Sequence, residues 1–78
     1  MTDNQVYYWE NQFRSGLNRY GRVRLYTVHN GPNAPAKIDV TVLVTRRDYL
    51  SLAQADFNKI KAGVPSDCTV SLYLIDDF

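Results

Sequence analysis

Two stretches of alternating, largely β-branched residues, separated by a helix with legible ends, do most to limit how this chain can fold. Lys37 to Thr45 carries Ile38, Val40, Val42 and Val44 at every second position, and Cys68 to Ile75 alternates again through Val70, Leu72 and Leu74. A period of two turns one side of each stretch toward a core and the other toward solvent or a partner. Between them Tyr49, Leu50, Ala53, Phe57 and Ile60 recur at helical spacing, leaving Gln54, Asn58, Lys59 and Lys61 for solvent. Thr45, with Asp48 three residues on, resembles a capping box in which Asp replaces Glu. Gly63 is placed to adopt the left-handed conformation after the last turn, and Pro65 stops further helix. The spacing predicts a helix over roughly 46–62. Strand, helix and strand with short joints make a right-handed crossover, so the two strands run parallel in one sheet.

Upstream, Arg22 to Val28 alternates as well, and His29 to Ala36 joins it to the next strand through Asn30-Gly31 and two prolines. Those residues favour a turn, which makes the pair an antiparallel hairpin. The first twenty residues admit two readings. Val6, Trp9, Phe13, Leu17 and Tyr20 form a helical stripe, with Thr2 and Gln5 to begin it and Gly21 to end it. Against this, Tyr7-Tyr8-Trp9 prefers strands, and Gly16 weakens any helix. A helix is preferred, giving the order αββαβ. A short strand at Gln5–Tyr8 would instead give βαββαβ, the ferredoxin-like plan. Both are α+β folds, a small two-layer sandwich with a mixed sheet of three or four strands. No repeat, low-complexity tract or linker divides residues 1–78, so a single domain is expected.

The chain has 78 residues with one cysteine, Cys68, and one histidine, His29. An intramolecular disulfide and a Cys/His zinc site are thereby excluded, and neither a metal nor a cofactor is expected. Small domains bury a modest share of their surface, so stability has to come from ordinary packing or from association. Hydrophobic residues make up 45% and charged residues 22%, a globular composition. There is no long apolar run and no basic, apolar leader at the N-terminus, so no membrane contact is expected. With an unpaired cysteine, a cytoplasmic location follows as the expectation. Net charge is +1, but seven basic side chains oppose three acidic ones through residue 47, and two oppose five beyond it. The chain is electrically polarised along its length.

Carrying the alternation through the sheet puts Val23, Leu25, Val40, Val42, Val44, Val70, Leu72 and Leu74 on the helix side. The opposite face then shows Arg22, Arg24, Tyr26, Thr41, Leu43, Ser71 and Tyr73. Tyrosine and arginine are enriched at protein-binding hot spots. Aromatic residues on an open sheet also stack bases while arginines contact phosphate. The third reading is structural: the N-terminal segment, with Tyr7, Tyr8 and Trp9, folds across this face and buries it. The Lys/Arg-Gly-Phe-Gly-Phe pattern of RNA-recognition domains is absent, and Arg22-Val23-Arg24-Leu25-Tyr26 is only loosely similar. In so small a core at least one of Tyr7, Tyr8 and Trp9 should remain exposed as a docking site, with Phe78 as a second anchor.

Arg14, Arg19, Arg22 and Arg24 span a helix end and a strand start, where the helix dipole favours cations. Arg46 and Arg47 fall in the first turn of the second helix, where the dipole disfavours them, so Asp76 or Asp77 is their expected partner. No nucleophile, base and orienting group can be assembled, and no phosphate-binding loop occurs. His29 reads as a surface side chain and Cys68 as a buried small hydrophobe. The chain is therefore expected not to be an enzyme. It reads as a non-catalytic interaction module that docks onto a larger protein or complex through Tyr7, Tyr8, Trp9, Arg22, Arg24, Tyr26 and Tyr73. Phages and mobile elements use short products of this kind to inhibit host nucleic-acid-processing machinery, as anti-CRISPR and polymerase inhibitors do. The alternative is a single-stranded nucleic-acid-binding domain that uses the Arg/Tyr face. Self-association into a homodimer through open sheet faces or edges is a third reading.

Overall fold

In a computed structural model describing residues 1–78, helix α1 (Asp3–Leu17) is followed by a 3-10 turn, Asn18–Tyr20. Strands β1 (Gly21–His29) and β2 (Ala36–Val44), helix α2 (Tyr49–Lys61) and strand β3 (Cys68–Asp76) complete the chain. The class is α+β, with two helices and one mixed sheet of three strands in the order β1-β2-β3. Central β2 runs antiparallel to β1 and parallel to β3, as the hairpin and crossover patterns predict.

The first twenty residues resolve as helix because its start is capped and its apolar stripe is buried, with Gly21 closing the 3-10 turn that follows and not α1 itself. The Gln5 amide donates to Thr2 Oγ1 at 3.2 Å, and the Thr2 amide donates to Gln5 Oε1 at 2.8 Å. These reciprocal bonds satisfy amides that a helix start otherwise leaves unpaired. The cap aims Val6, Phe13 and Leu17 inward, where all three are buried. Gln5–Tyr8 therefore lies inside α1, and the sheet has no fourth strand, so the βαββαβ alternative is overturned. The strand preference of Tyr7 and Tyr8 yields to the cap and to burial of the apolar stripe.

Ile38, Val40, Val42 and Val44 of β2 are fully buried beneath Phe13, Leu17 and Phe57. Phe13 and Phe57 bring the two helices together, their ring centroids 5.3 Å apart. Both helices thus cover the same side of the sheet. Each buried valine or leucine contributes roughly 1.5–3 kcal/mol.

Three local expectations differ. Thr45 does not cap α2; its hydroxyl donates to the Tyr20 carbonyl at 3.4 Å and its amide to the same oxygen at 3.1 Å. Thr45 is thereby spent on joining the end of β2 to the turn before β1. Asp48 makes no side-chain cap bond, and residues 46–48 form a turn, so the regular helix starts at Tyr49. Gly63 is not left-handed, since only Gly21 and Gly31 have positive φ. The helix instead unwinds through short bonds from the Gly63 amide to the Ile60 carbonyl (3.1 Å) and from Val64 to Lys61 (3.0 Å). The Trp9 ring packs close against Gly63, where a Cβ would stand 3.2 Å from Trp9 Cη2.

His29 is likewise not a surface residue, its side chain being only 7% exposed. Nε2 lies 2.7 Å from the Met1 carbonyl oxygen and Nδ1 lies 3.0 Å from the Asp3 carboxylate. The Met1 amine donates to the Ala34 carbonyl at 3.0 Å and to Asp67 Oδ2 at 3.2 Å. The start of α1 is thus tied to the β1–β2 turn and to the approach to β3. At the other end of α1, Asp56 accepts bonds from the Tyr20 hydroxyl and from Arg19 Nη2, the latter at 2.9 Å. Donation to this carboxylate, with burial, holds the Tyr20 phenol above its ordinary value of 10.0.

Candidate interaction surface

The strand residues that point away from the helices fall into four cross-strand rows: Arg22–Leu43–Ile75, Arg24–Thr41–Tyr73, Tyr26–Asp39–Ser71 and Val28–Lys37–Thr69. Both helices pack on the other side, leaving this face bare. Tyr26 is 69% exposed, Tyr73 52%, Ile75 48% and Val28 38%. They are four of the eight large apolar side chains that stand out into solvent. α1 carries Tyr7, Tyr8 and Trp9 over the core side, so burial of the Arg/Tyr face by the N-terminal segment is overturned.

The electrostatics of the face are uneven. Arg22, Arg24 and Lys37 make no ion pair, the chain's pairs being Met1–Asp67, Arg19–Asp56, His29–Asp3 and Arg46–Asp48. At the centre of the face, Asp39 Oδ1 is sealed from solvent by its neighbours and has no hydrogen-bond donor. Leaving such an acceptor unsatisfied costs about 1–3 kcal/mol.

The sequence-predicted binding residues separate into two groups. Arg22, Arg24, Tyr26 and Tyr73 come together on the bare face, in adjacent rows. Tyr7 and Tyr8 are exposed on the helical layer, across the sheet from that group. Trp9 is structural: half-buried, it meets Tyr8 edge-on at 5.0 Å and packs against Gly63. Val28, Lys37, Asp39, Thr69 and Ile75 complete the face; the strand alternation already sets Asp39, Thr69 and Ile75 opposite the core residues, and continuing it along β1 and β2 adds Val28 and Lys37. Arg46 and Arg47 do not pair with Asp76 or Asp77. Arg46 reaches Asp48 at 3.5 Å, and Arg47 lies over the Phe78 ring at 5.9 Å, just past the end of β3, without pairing with either aspartate.

Two shallow depressions mark the surface. One of ≈ 310 Å³ lies at the Val28–Lys37–Thr69 end of the bare face, and one of ≈ 300 Å³ lies among Gly16, Arg19, Asp56, Lys59 and Ile60. Neither brings a nucleophile to a base. No three His, Cys, Asp or Glu side chains converge as metal ligands, and no helix is long and apolar enough to cross a membrane.

Cys68 is buried, and burial, reinforced by Asp67, pushes its thiol above 9.0. Since the thiolate is the nucleophile, iodoacetamide should label the native protein at least about tenfold more slowly than the urea-unfolded chain at the same pH. Equal rates would show that the site opens freely. Because the native thiol ionises later than the unfolded one, its contribution to stability is complete below pH 9.0 and is lost as pH rises through the native value.

The fold and this face define a small α+β domain with one uncovered sheet surface. Compared with known protein families, curated proteins and solved structures, the chain matches none.

Proposed function

We propose that this chain is a non-catalytic protein-interaction module that docks onto another protein through the bare face of its sheet. One observation carries the proposal. Tyr26, Tyr73, Ile75 and Val28 share a face with unpaired Arg22 and Arg24 and with an Asp39 oxygen that lacks a donor. Aromatic and arginine side chains are the usual anchors of protein interfaces. A protein surface can supply carboxylates to the arginines and apolar area to the tyrosine rings together. Inhibition of a host nucleic-acid-processing complex, in the manner of phage inhibitors, is the narrower form of this proposal.

Single-stranded nucleic acid is the competing ligand, favoured by two exposed tyrosine rings beside unpaired arginines. Asp39 weighs against it, because a carboxylate beside Tyr26 in the same cross-strand row repels a phosphate chain. Anisotropy of labelled single-stranded RNA and DNA at low and near-physiological salt separates the two. Docking predicts no saturable binding at either salt. Salt-sensitive binding that Arg24→Ala and Tyr73→Ala both weaken would transfer the face to nucleic acid.

A further inference from the structure

We infer that the partner presents an extended, acidic segment that adds to the free edge of β1 as a fourth strand. This rests on the docking function proposed above and states the chemistry of the partner. β1 pairs only with β2, so along its nine residues half of the backbone N–H and C=O groups turn outward from the sheet. Apart from the ladder with β2, no hydrogen bond reaches the β1 backbone between Arg22 and Val28. The register runs unbroken from Gly21–Val44 to His29–Ala36, without a bulge, and the strand contains no proline. Bulges and prolines are common means of blocking an edge, so what guards this one is charge.

That charge is Arg22 and Arg24, two residues apart on the bare face and free of any ion pair. With Lys37, the face sets three cations against one carboxylate, Asp39, of which one oxygen is sealed from solvent. The excess positive charge calls for an acidic ligand. A neighbouring strand lies about 4.8 Å away and repeats its side chains on that face at the same ~6.8 Å interval. Carboxylates at alternate positions of such a strand stand opposite Arg22 and Arg24, within reach of bidentate bonds. The next residue on that side stands opposite Tyr26, the most exposed of the large apolar side chains. The intervening residues turn to the helix side, where Val23 and Leu25 are half-buried at the margin of the core. Apolar side chains there complete the cover. The segment therefore reads acidic, apolar, acidic, apolar, aromatic. The edge of β3 is open as well, but β3 carries no arginine or lysine to select a charge. A phosphate chain satisfies the arginines but donates nothing to the outward carbonyls of β1, whereas a polypeptide strand meets both.

The peptide acetyl-Ser-Glu-Val-Glu-Val-Tyr-Val-Ser-amide, titrated into the isotope-labelled protein and followed by amide chemical shifts, tests this. Its Kd should lie below about 1 mM, with the shifts concentrated on β1 and not on β3. The analogue with Lys in place of each Glu should bind at least about tenfold more weakly. Arg22→Glu combined with Arg24→Glu, with an unchanged far-UV circular dichroism spectrum, should reverse that preference. Strand pairing is read separately, from two peptides N-methylated at alternate amides in opposite phase. One should lose binding and the other keep it, because only alternate amides of an added strand face the edge. No saturable shifts, shifts centred on β3, equal binding by the two methylated peptides, or a preference unmoved by charge reversal overturns the inference. A photo-crosslinker at position 73, on the far strand and activated in producing cells, separates this failure from failure of the docking proposal. If the peptide fails, adducts with other proteins overturn the added strand and leave docking by the bare face standing. Adducts only with nucleic acid overturn both.

Discussion

Gly21→Ala should destabilise the protein by roughly 3 kcal/mol, the largest loss expected from adding a single methyl group to this chain. Gly21 opens β1 with φ +152°, a region that L side chains rarely adopt. A Cβ at this position would stand 1.8 Å from the Leu43 carbonyl oxygen and 2.7 Å from its carbon. Both are backbone atoms of the strand it pairs with, so no rotamer change relieves the contact. Accommodation requires β1 to move from β2 at the Gly21–Val44 rung, beside the point where the 3-10 turn delivers Tyr20 to Asp56. For a domain of this size, 3 kcal/mol corresponds to a fall in Tm of roughly 12–24 °C. Gly31→Ala provides the control. It shares the positive φ, +147°, but its Cβ would meet nothing within 4 Å. Its cost should be the backbone strain alone, about 1 kcal/mol. Equal urea midpoints for the two variants would show that the contact with Leu43 is not what matters at Gly21.

Truncating Phe13 should be still more damaging, at roughly 3–5 kcal/mol for Phe13→Ala. Phe13 is fully buried and its ring meets Phe57 of α2 at 5.3 Å, at the point where the two helices and β2 converge. Stabilities of about 0.05–0.15 kcal/mol per residue leave a chain of 78 residues little margin against such a loss. The variant should be largely unfolded near 37 °C by circular dichroism, whereas Phe13→Leu, which keeps most of the volume, should lose only about 1.5 kcal/mol. A folded Phe13→Ala protein with near-parental Tm would mean that the core collapses around the gap or draws its stability elsewhere.

How far the sequence could be read depends on the range of the interactions involved. Helix α1 is encoded locally: Thr2 and Gln5 lie within one turn, and Val6, Phe13 and Leu17 repeat at the helical period. The hairpin and the crossover are also local, since turn residues and a period of two act over a few positions. Alternation alone therefore tells the two faces of the sheet apart and assigns Arg22, Arg24, Tyr26 and Tyr73 to one of them.

Contacts between residues distant in sequence were not legible, for the reason that many partners satisfy the same local pattern. Thr45 had the spacing of a cap for α2 but bonds to Tyr20, 25 residues earlier. Gly63 had the position of a left-handed stop but packs close against the Trp9 ring. His29, placed at the surface by its turn neighbours, is enclosed by Met1 and Asp3. The candidate site divides in the same way. Local pattern was enough for β1, β2, α2 and β3 and for which side chains share each sheet face, and it favoured helix α1 while leaving a strand at Gln5–Tyr8 open. It took the packing of the whole chain to put both helices on one face and leave the other bare, to hold Tyr7 and Tyr8 apart from the arginines, and to seal the Asp39 oxygen without a donor. An alternating pattern records that a strand has two sides, whereas what lies against each side depends on how distant segments come together.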